Sequence, residues 1–166
     1  MLKKYSKFLD ILEMIEKAVL AVTVGAMVVI MIYQIILRYI FSASNAWAEE
    51  LVGYLFVLDV MLAAAIAIRR NSHLQIDILI NLFPEKVKKV FTIIATVVGI
   101  VFLCFLFRYS LTLVSTATRN TSAGLHITMA IPYSALPLGA VLMILTSIET
   151  ILKNIAELRE GKETSV

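Results

Sequence analysis

The chain has few side chains that could take part in chemistry, and the most unusual is an acid inside an apolar run. Asp59 is the only charged residue in the run 51–68. A carboxylate at the centre of a bilayer costs roughly 2.5–3.5 kcal/mol on insertion scales, so it needs a partner, a wet cavity or a proton. We interpret Asp59 as a polar contact with a neighbouring helix, and a proton or cation relay is the alternative.

Two acids stand just before that run. Glu49 and Glu50 follow Asn45 and Trp47. Asn45 can cap a helix, acids favour its positive end, and a tryptophan anchors at the membrane interface. These local roles are sufficient, and a binding role for the two acids is the alternative.

A third group of polar residues flanks the apolar runs. Arg38 ends one run, Arg70 ends the next, and His73 and Asp77 follow after it. We interpret Arg38 and His73 as membrane-edge anchors or hydrogen-bonded structural residues.

The composition excludes a soluble enzyme. Of 166 residues, 60% are hydrophobic and 16% are charged, whereas a soluble domain is about 45–50% apolar and about 25% charged. The net charge of +3 is spread between apolar runs, which argues against a nucleic-acid binder. No nucleotide loop, metal-ligand spacing or nucleophile–base pair occurs. We therefore expect no catalytic, metal or cofactor site. We interpret Cys104 as a packing residue. The two histidines lie in predicted loops on opposite faces of the membrane, so they cannot pair as haem ligands.

Four stretches are long and apolar enough to cross a bilayer, since a spanning helix needs roughly 20 mostly apolar residues. The sequence predicts one all-α membrane domain over residues 1–166. Its predicted spans are about 18–38, 48–68, 89–110 and 131–151.

The distribution of lysine and arginine predicts the orientation. Twelve lie in the N-terminus, the loop after span two and the C-terminus, against Arg38, Arg108 and Arg119 in the other flanks. The positive-inside rule therefore places both termini in the cytoplasm.

Two further helices are expected at the membrane surface. Residues 2–17 repeat apolar side chains every three or four positions, which predicts either an amphipathic helix in the interface plane or a cytoplasmic extension of span one. Residues 71–89 are too polar to span, and His73, Asp77 and Asn81 recur every four residues. This spacing predicts a short interfacial helix that ends near Pro84.

The ordered polar residues resemble a known family. Arg38 is followed by Trp47-Ala48-Glu49-Glu50-Leu51 and the run Tyr54-Leu55-Phe56-Val57, and then by Ala63-Ala64-Ala65, Arg69, Arg70, His73, Asp77 and Pro84. This set resembles the small, DctQ-type membrane subunit of tripartite ATP-independent periplasmic (TRAP) transporters. Asp59 is not part of the pattern, and Ala63 stands where a glycine is expected.

The resemblance implies a non-catalytic subunit of a secondary transporter in the bacterial inner membrane. Its partners would be a large DctM-type transport subunit, a periplasmic solute-binding protein that delivers an organic acid, and membrane lipids. Uptake would be driven by a sodium gradient. The candidates for subunit contact or docking are Arg38, Trp47, Glu49, Glu50, Asp59, Arg70, His73 and Asp77.

Two other functions remain open from the residues alone. One is a stand-alone, dimeric four-span exporter that uses Asp59 as its proton site. The other is an electron-transfer membrane anchor, which a haem absorbance band would reveal. Four short spans with one mid-membrane charge make a poor solute pathway, because discrimination needs several convergent polar groups.

Overall fold

The described part of the chain is helical apart from its connections and one isolated bridge. The computed structural model describes residues 2–43, 45–70 and 85–160. The helices are α1 (Leu2–Ile40), α2 (Ala46–Arg69), α3 (Glu85–Ala117), α4 (Ala130–Tyr133) and α5 (Ala135–Glu160). Residues 71–84 lie outside the described residues, and with them His73, Asp77, Pro84 and most of the expected interfacial helix.

Four helical stretches are long and apolar enough to cross a membrane. They are Tyr5–Ile40, Ala46–Arg69, Phe91–Ala117 and Ala130–Ala156. The described residues therefore confirm the expected all-helical class and four helices with the length and composition of membrane spans. Residues 2–17 are helical and continue without a break into span one. Among their apolar side chains, Leu9 is buried, whereas Phe8 and Ile15 are exposed.

The long helices form an open row rather than a closed bundle. α1 packs on α2, α2 packs on α5, and α5 packs on α3. The buried centre of the row is an apolar cluster of Ala65 and Ile68 from α2, Leu103 from α3 and Met143 from α5. Helices α1 and α3 therefore form the two edges, and their outward faces carry exposed large apolar side chains.

Two helix ends have identifiable local causes. α1 ends with Ser42 in the left-handed region at φ 50°, and the Ala43 N–H bonds back to the Leu37 carbonyl at 3.1 Å. The last span is interrupted at Ser134, so that Pro137 falls in the first turn of α5. Proline is tolerated in the first turn of a helix because an N–H group there has no partner within the helix, so nothing is lost when it is missing.

Candidate functional site

Polar contacts between helices gather at three levels of the row. We call the end that carries Arg69 the arginine end, and the end that carries residues 118–129 the loop end. The third level lies between them, at Asp59. At each level, side chains from elements that are distant in sequence come together, so each level is a candidate functional site.

At the arginine end, Arg69 joins three helices. Its Nη2 donates to Asp10 Oδ1 at 2.5 Å and to the Ser6 carbonyl at 3.2 Å, its Nη1 donates to Glu13, and its Nε donates to Glu149 Oε2 at 2.9 Å. The side chain is 8% exposed. α2 thus holds α1 and α5 through one buried guanidinium.

Further charges complete this cluster. Arg70 is more exposed and donates to Glu13 Oε1 at 3.1 Å. Lys17 pairs with Glu13, and Lys153 pairs with Glu149 at 2.7 Å. The acids that contact Arg69 therefore each have a second cation or face solvent, which offsets the cost of burying charge.

The loop end is held by Glu50. Its carboxylate accepts hydrogen bonds from the Ser122 hydroxyl and from the Leu125 N–H at 3.2 Å. The loop itself is closed by the Ser122 N–H to the Ile127 carbonyl at 2.8 Å and by a bridge between Thr121 and Thr128. Glu50 therefore fixes the loop between α3 and α4 onto the start of α2.

Close backbone packing supports the same contact. A Cβ atom added at Gly124 would lie 2.7 Å from the backbone nitrogen of Trp47, so only glycine fits between the loop and α2. The Trp47 ring also contacts the Tyr33 ring of α1, with centroids 6.2 Å apart. Asn45 stands at the N-cap position with extended backbone but makes no side-chain capping bond, unlike the expected cap.

Glu49 and Glu50, neighbours in sequence, have different surroundings. Glu49 is exposed, and so is Arg38 near the end of α1, whereas Glu50 is partly buried against the loop. Of the candidates at this end, the structure ties Trp47 and Glu50 into the fold and leaves Glu49 and Arg38 on the surface.

Asp59 makes the interhelical contact that the sequence suggested. It is 7% exposed, and its Oδ1 accepts a hydrogen bond from the Thr23 hydroxyl of α1. Its Oδ2 is buried without a hydrogen-bond partner among the described residues. The residue therefore joins α1 to α2.

No sequence pattern predicted that contacts between helices would centre on Arg69, Glu13, Glu149 and Ser122. A signal was present, since Glu149 is the only charge in the last predicted span and Glu13 interrupts an apolar repeat. Pairing them with Arg69 requires knowing that α2 lies between α1 and α5, which no local pattern provides.

Comparison with known proteins identifies one family. The sequence profile described as tripartite ATP-independent periplasmic transporters, DctQ component, matches residues 27–157. The chain is 29% identical over 91 residues to a C4-dicarboxylate TRAP transporter small permease protein, DctQ, of Vibrio cholerae. That match covers 55% of this chain and 39% of the relative.

Two relatives from Haemophilus influenzae extend the comparison. A sialic acid TRAP transporter permease protein, SiaT, is 35% identical over 122 residues, which cover 72% of this chain and 20% of the relative. A putative TRAP transporter small permease protein is 25% identical over 142 residues, which cover 84% and 86%. The chain thus spans less than half of the first two relatives and most of the third.

Proposed function

Because this chain belongs to the family of DctQ components of TRAP transporters, we propose that it is the small, non-catalytic membrane subunit of such a transporter. In this role it packs against a large, DctM-type transport subunit and stabilises it in the membrane. The relative SiaT supports this partner, because the matched region there is one fifth of a much longer permease protein.

The observation that carries the proposal is the open row of helices. A transport site near the bilayer midplane needs several polar groups that converge on one cavity. In the described spans, the acid at mid-depth is Asp59, which is 7% exposed and accepts a hydrogen bond from Thr23 of α1. A row with two free edges suits a subunit that widens and supports another membrane protein.

The proposed substrate is an organic acid that a periplasmic solute-binding protein delivers. The matched relatives are named for a C4-dicarboxylate and for sialic acid, which both carry carboxylates. Uptake would be coupled to a sodium gradient, and the coupling and substrate sites would lie in the large subunit.

The proposed location is the bacterial inner membrane, with both termini in the cytoplasm. The positive-inside count supports this orientation. It places the loop end in the periplasm, with Arg38 and Glu49 exposed where the binding protein would dock. His73 and Asp77 would then lie on the cytoplasmic side, where they tie the segment after α2 to the bundle or to the large subunit.

A charge reversal tests the docking role. Glu49→Lys should lower uptake at limiting binding protein, because a surface charge acts mainly on association. Membrane insertion should be unchanged, since Glu49 is exposed. The matched control is Glu50→Gln, which should loosen the loop without reversing a charge on the docking surface. Normal uptake by Glu49→Lys at every binding-protein concentration would remove the docking role.

Affinity purification tests the proposed function itself. The tagged chain is purified in mild detergent from its native host, and co-purifying proteins are identified by mass spectrometry. We expect one large polytopic membrane protein at close to a one-to-one ratio. A homodimer that carries no larger membrane protein would contradict the proposal.

A further inference from the structure

The sequence predicted Arg108 in the outer flank of the third span, because the uncharged run stops at Phe107, but the residue lies inside the helical span Phe91–Ala117. Helix α3 continues without a break to Ala117. At roughly 1.5 Å per residue, about 14 Å of helix separates Arg108 from Ala117 and about 26 Å separates it from Phe91. The residue is therefore well removed from both ends of the span.

The neighbouring helices give the depth of Arg108. Leu106 packs against the central cluster together with Met61 of α2. Arg108 lies about 3 Å further along α3 towards the loop end, and Asp59 lies about 3 Å from Met61 in the same direction. Along α2, Asp59 is in turn about midway between Glu50 and Arg69. Arg108 is thus at the middle level of the row.

At this level Arg108 is the exception among the exposed side chains. Exposed residues of α1, α2 and α5 at this level include Val22, Val60 and Leu138, with 71%, 44% and 52% exposure. Those three surfaces suit lipid, whereas α3 presents a guanidinium. Arg108 is exposed, and its guanidinium makes no hydrogen bond or ion pair with any residue in the described ranges.

Lipid is a poor environment for this side chain. An arginine at the centre of a membrane helix is strongly unfavourable unless it pairs, faces a wet cavity or reaches the headgroups. Side chains on a helix lean towards its N-terminus, so that Arg108 leans away from Ala117, the nearer end of the span. To reach the headgroups, the Arg108 side chain would have to extend towards Phe91, the more distant end of the span.

A second copy of the chain could not neutralise Arg108 either. Between the loop end and the arginine end, the described spans contain one acid, Asp59, which is 7% exposed and held by Thr23. The required partner is therefore another protein that brings a carboxylate to mid-membrane depth.

We propose that the outward face of α3 around Arg108 is the contact surface for the large permease subunit, and that Arg108 pairs there with a carboxylate on one of its membrane helices. Phe105 and Tyr109, 60% and 70% exposed, lie one turn and one residue from Arg108 and supply aromatic contact area. The α1 edge of the row then faces lipid. This inference rests on the proposed function.

The first test removes the cation in the native complex. Arg108→Leu should insert at least as well as the parent, because it takes a charge out of the membrane. It should lower recovery of the large subunit at least about tenfold, because the partner's carboxylate is left buried and unpaired. Arg108→Lys should retain part of the recovery. The matched control, Val22→Leu at the same depth on the α1 edge, should leave recovery unchanged.

The second test maps the face directly. A photo-crosslinking amino acid in place of Tyr109 should join the chain to the large subunit, and the same residue in place of Val22 should not. Full recovery with Arg108→Leu would overturn the inference, and so would crosslinking from Val22 alone or adducts at Tyr109 with lipid or a second copy only. If the unaltered chain recovers no large membrane protein at all, the proposed function itself has failed.

Discussion

Arg69 is the residue on which most contacts between helices converge. It is 8% exposed and bonds to acids on α1 and α5, whereas its neighbour Arg70 is 57% exposed and, among the described residues, pairs with Glu13. Removing the guanidinium from this buried cluster takes away the hydrogen bonds of Glu13 and Glu149 and leaves these acids with only the outer cations. Removing an exposed partner lets water replace it. Adjacent arginines therefore contribute very differently to stability.

We predict that Arg69→Met destabilises the chain by about 3–5 kcal/mol, because Glu13 and Glu149 lose a buried partner. Arg70→Met, the matched control, should cost no more than about 1 kcal/mol. Thermal unfolding in detergent, followed by loss of helical circular dichroism, measures both. Equal losses in the two variants would show that the buried contacts of Arg69 do not govern stability.

For single residues, the sequence predicted which side chains need a polar contact better than it predicted which residues would provide that contact. An acid in an apolar span must find a polar neighbour, and Asp59 does so with Thr23. The position of Glu50 at a helix start was equally clear. Its bond to Ser122 was not, because the sequence does not say where a loop 72 residues away will fold.

The loop of residues 118–129 is the element that most depends on close packing. It lies on the start of α2, where the carboxylate of Glu50 and the absence of a side chain at Gly124 allow contact between backbones. Any larger residue at Gly124 must move the loop away from Trp47, because the obstructing atoms are backbone.

We predict that Gly124→Ala destabilises the chain by roughly 1–3 kcal/mol through overpacking. It should also speed trypsin cleavage after the exposed Arg119, because the loop is displaced. Gly99→Ala is the control, since an added Cβ there meets nothing within 4 Å. Mass spectrometry of timed digests measures the cleavage. An unchanged rate in Gly124→Ala would mean that the loop tolerates the added methyl group.

At the element scale, hydropathy predicted the spans because a bilayer imposes length and composition on any helix that crosses it. It was less informative about helix ends. α3 continues past Arg108 to Ala117, and the hydroxyl side chains in its last turns bond to the helix's own carbonyls, as Thr116 does to Thr112 at 3.0 Å. Polar composition there did not end the helix.

As a whole molecule, the chain has two unlike edges. Between residues 18 and 37, the α1 edge carries no charge, whereas the α3 edge presents Arg108 at mid-depth. A row with one apolar edge and one charged edge is suited to lie between lipid and a second membrane protein. The sequence predicted the family and the four spans, but the order of the helices in the row required the structure.

The most direct test of the central claim, that this chain supports transport without performing it, is solute uptake in proteoliposomes. The chain alone, the large subunit alone and both together are each supplied with a sodium gradient, the binding protein and an organic acid such as sialic acid. We predict full uptake with both subunits and none by this chain alone, with Asp59→Asn causing little loss because an asparagine oxygen can still accept from Thr23. Transport by this chain alone that Asp59→Asn abolishes would contradict the account.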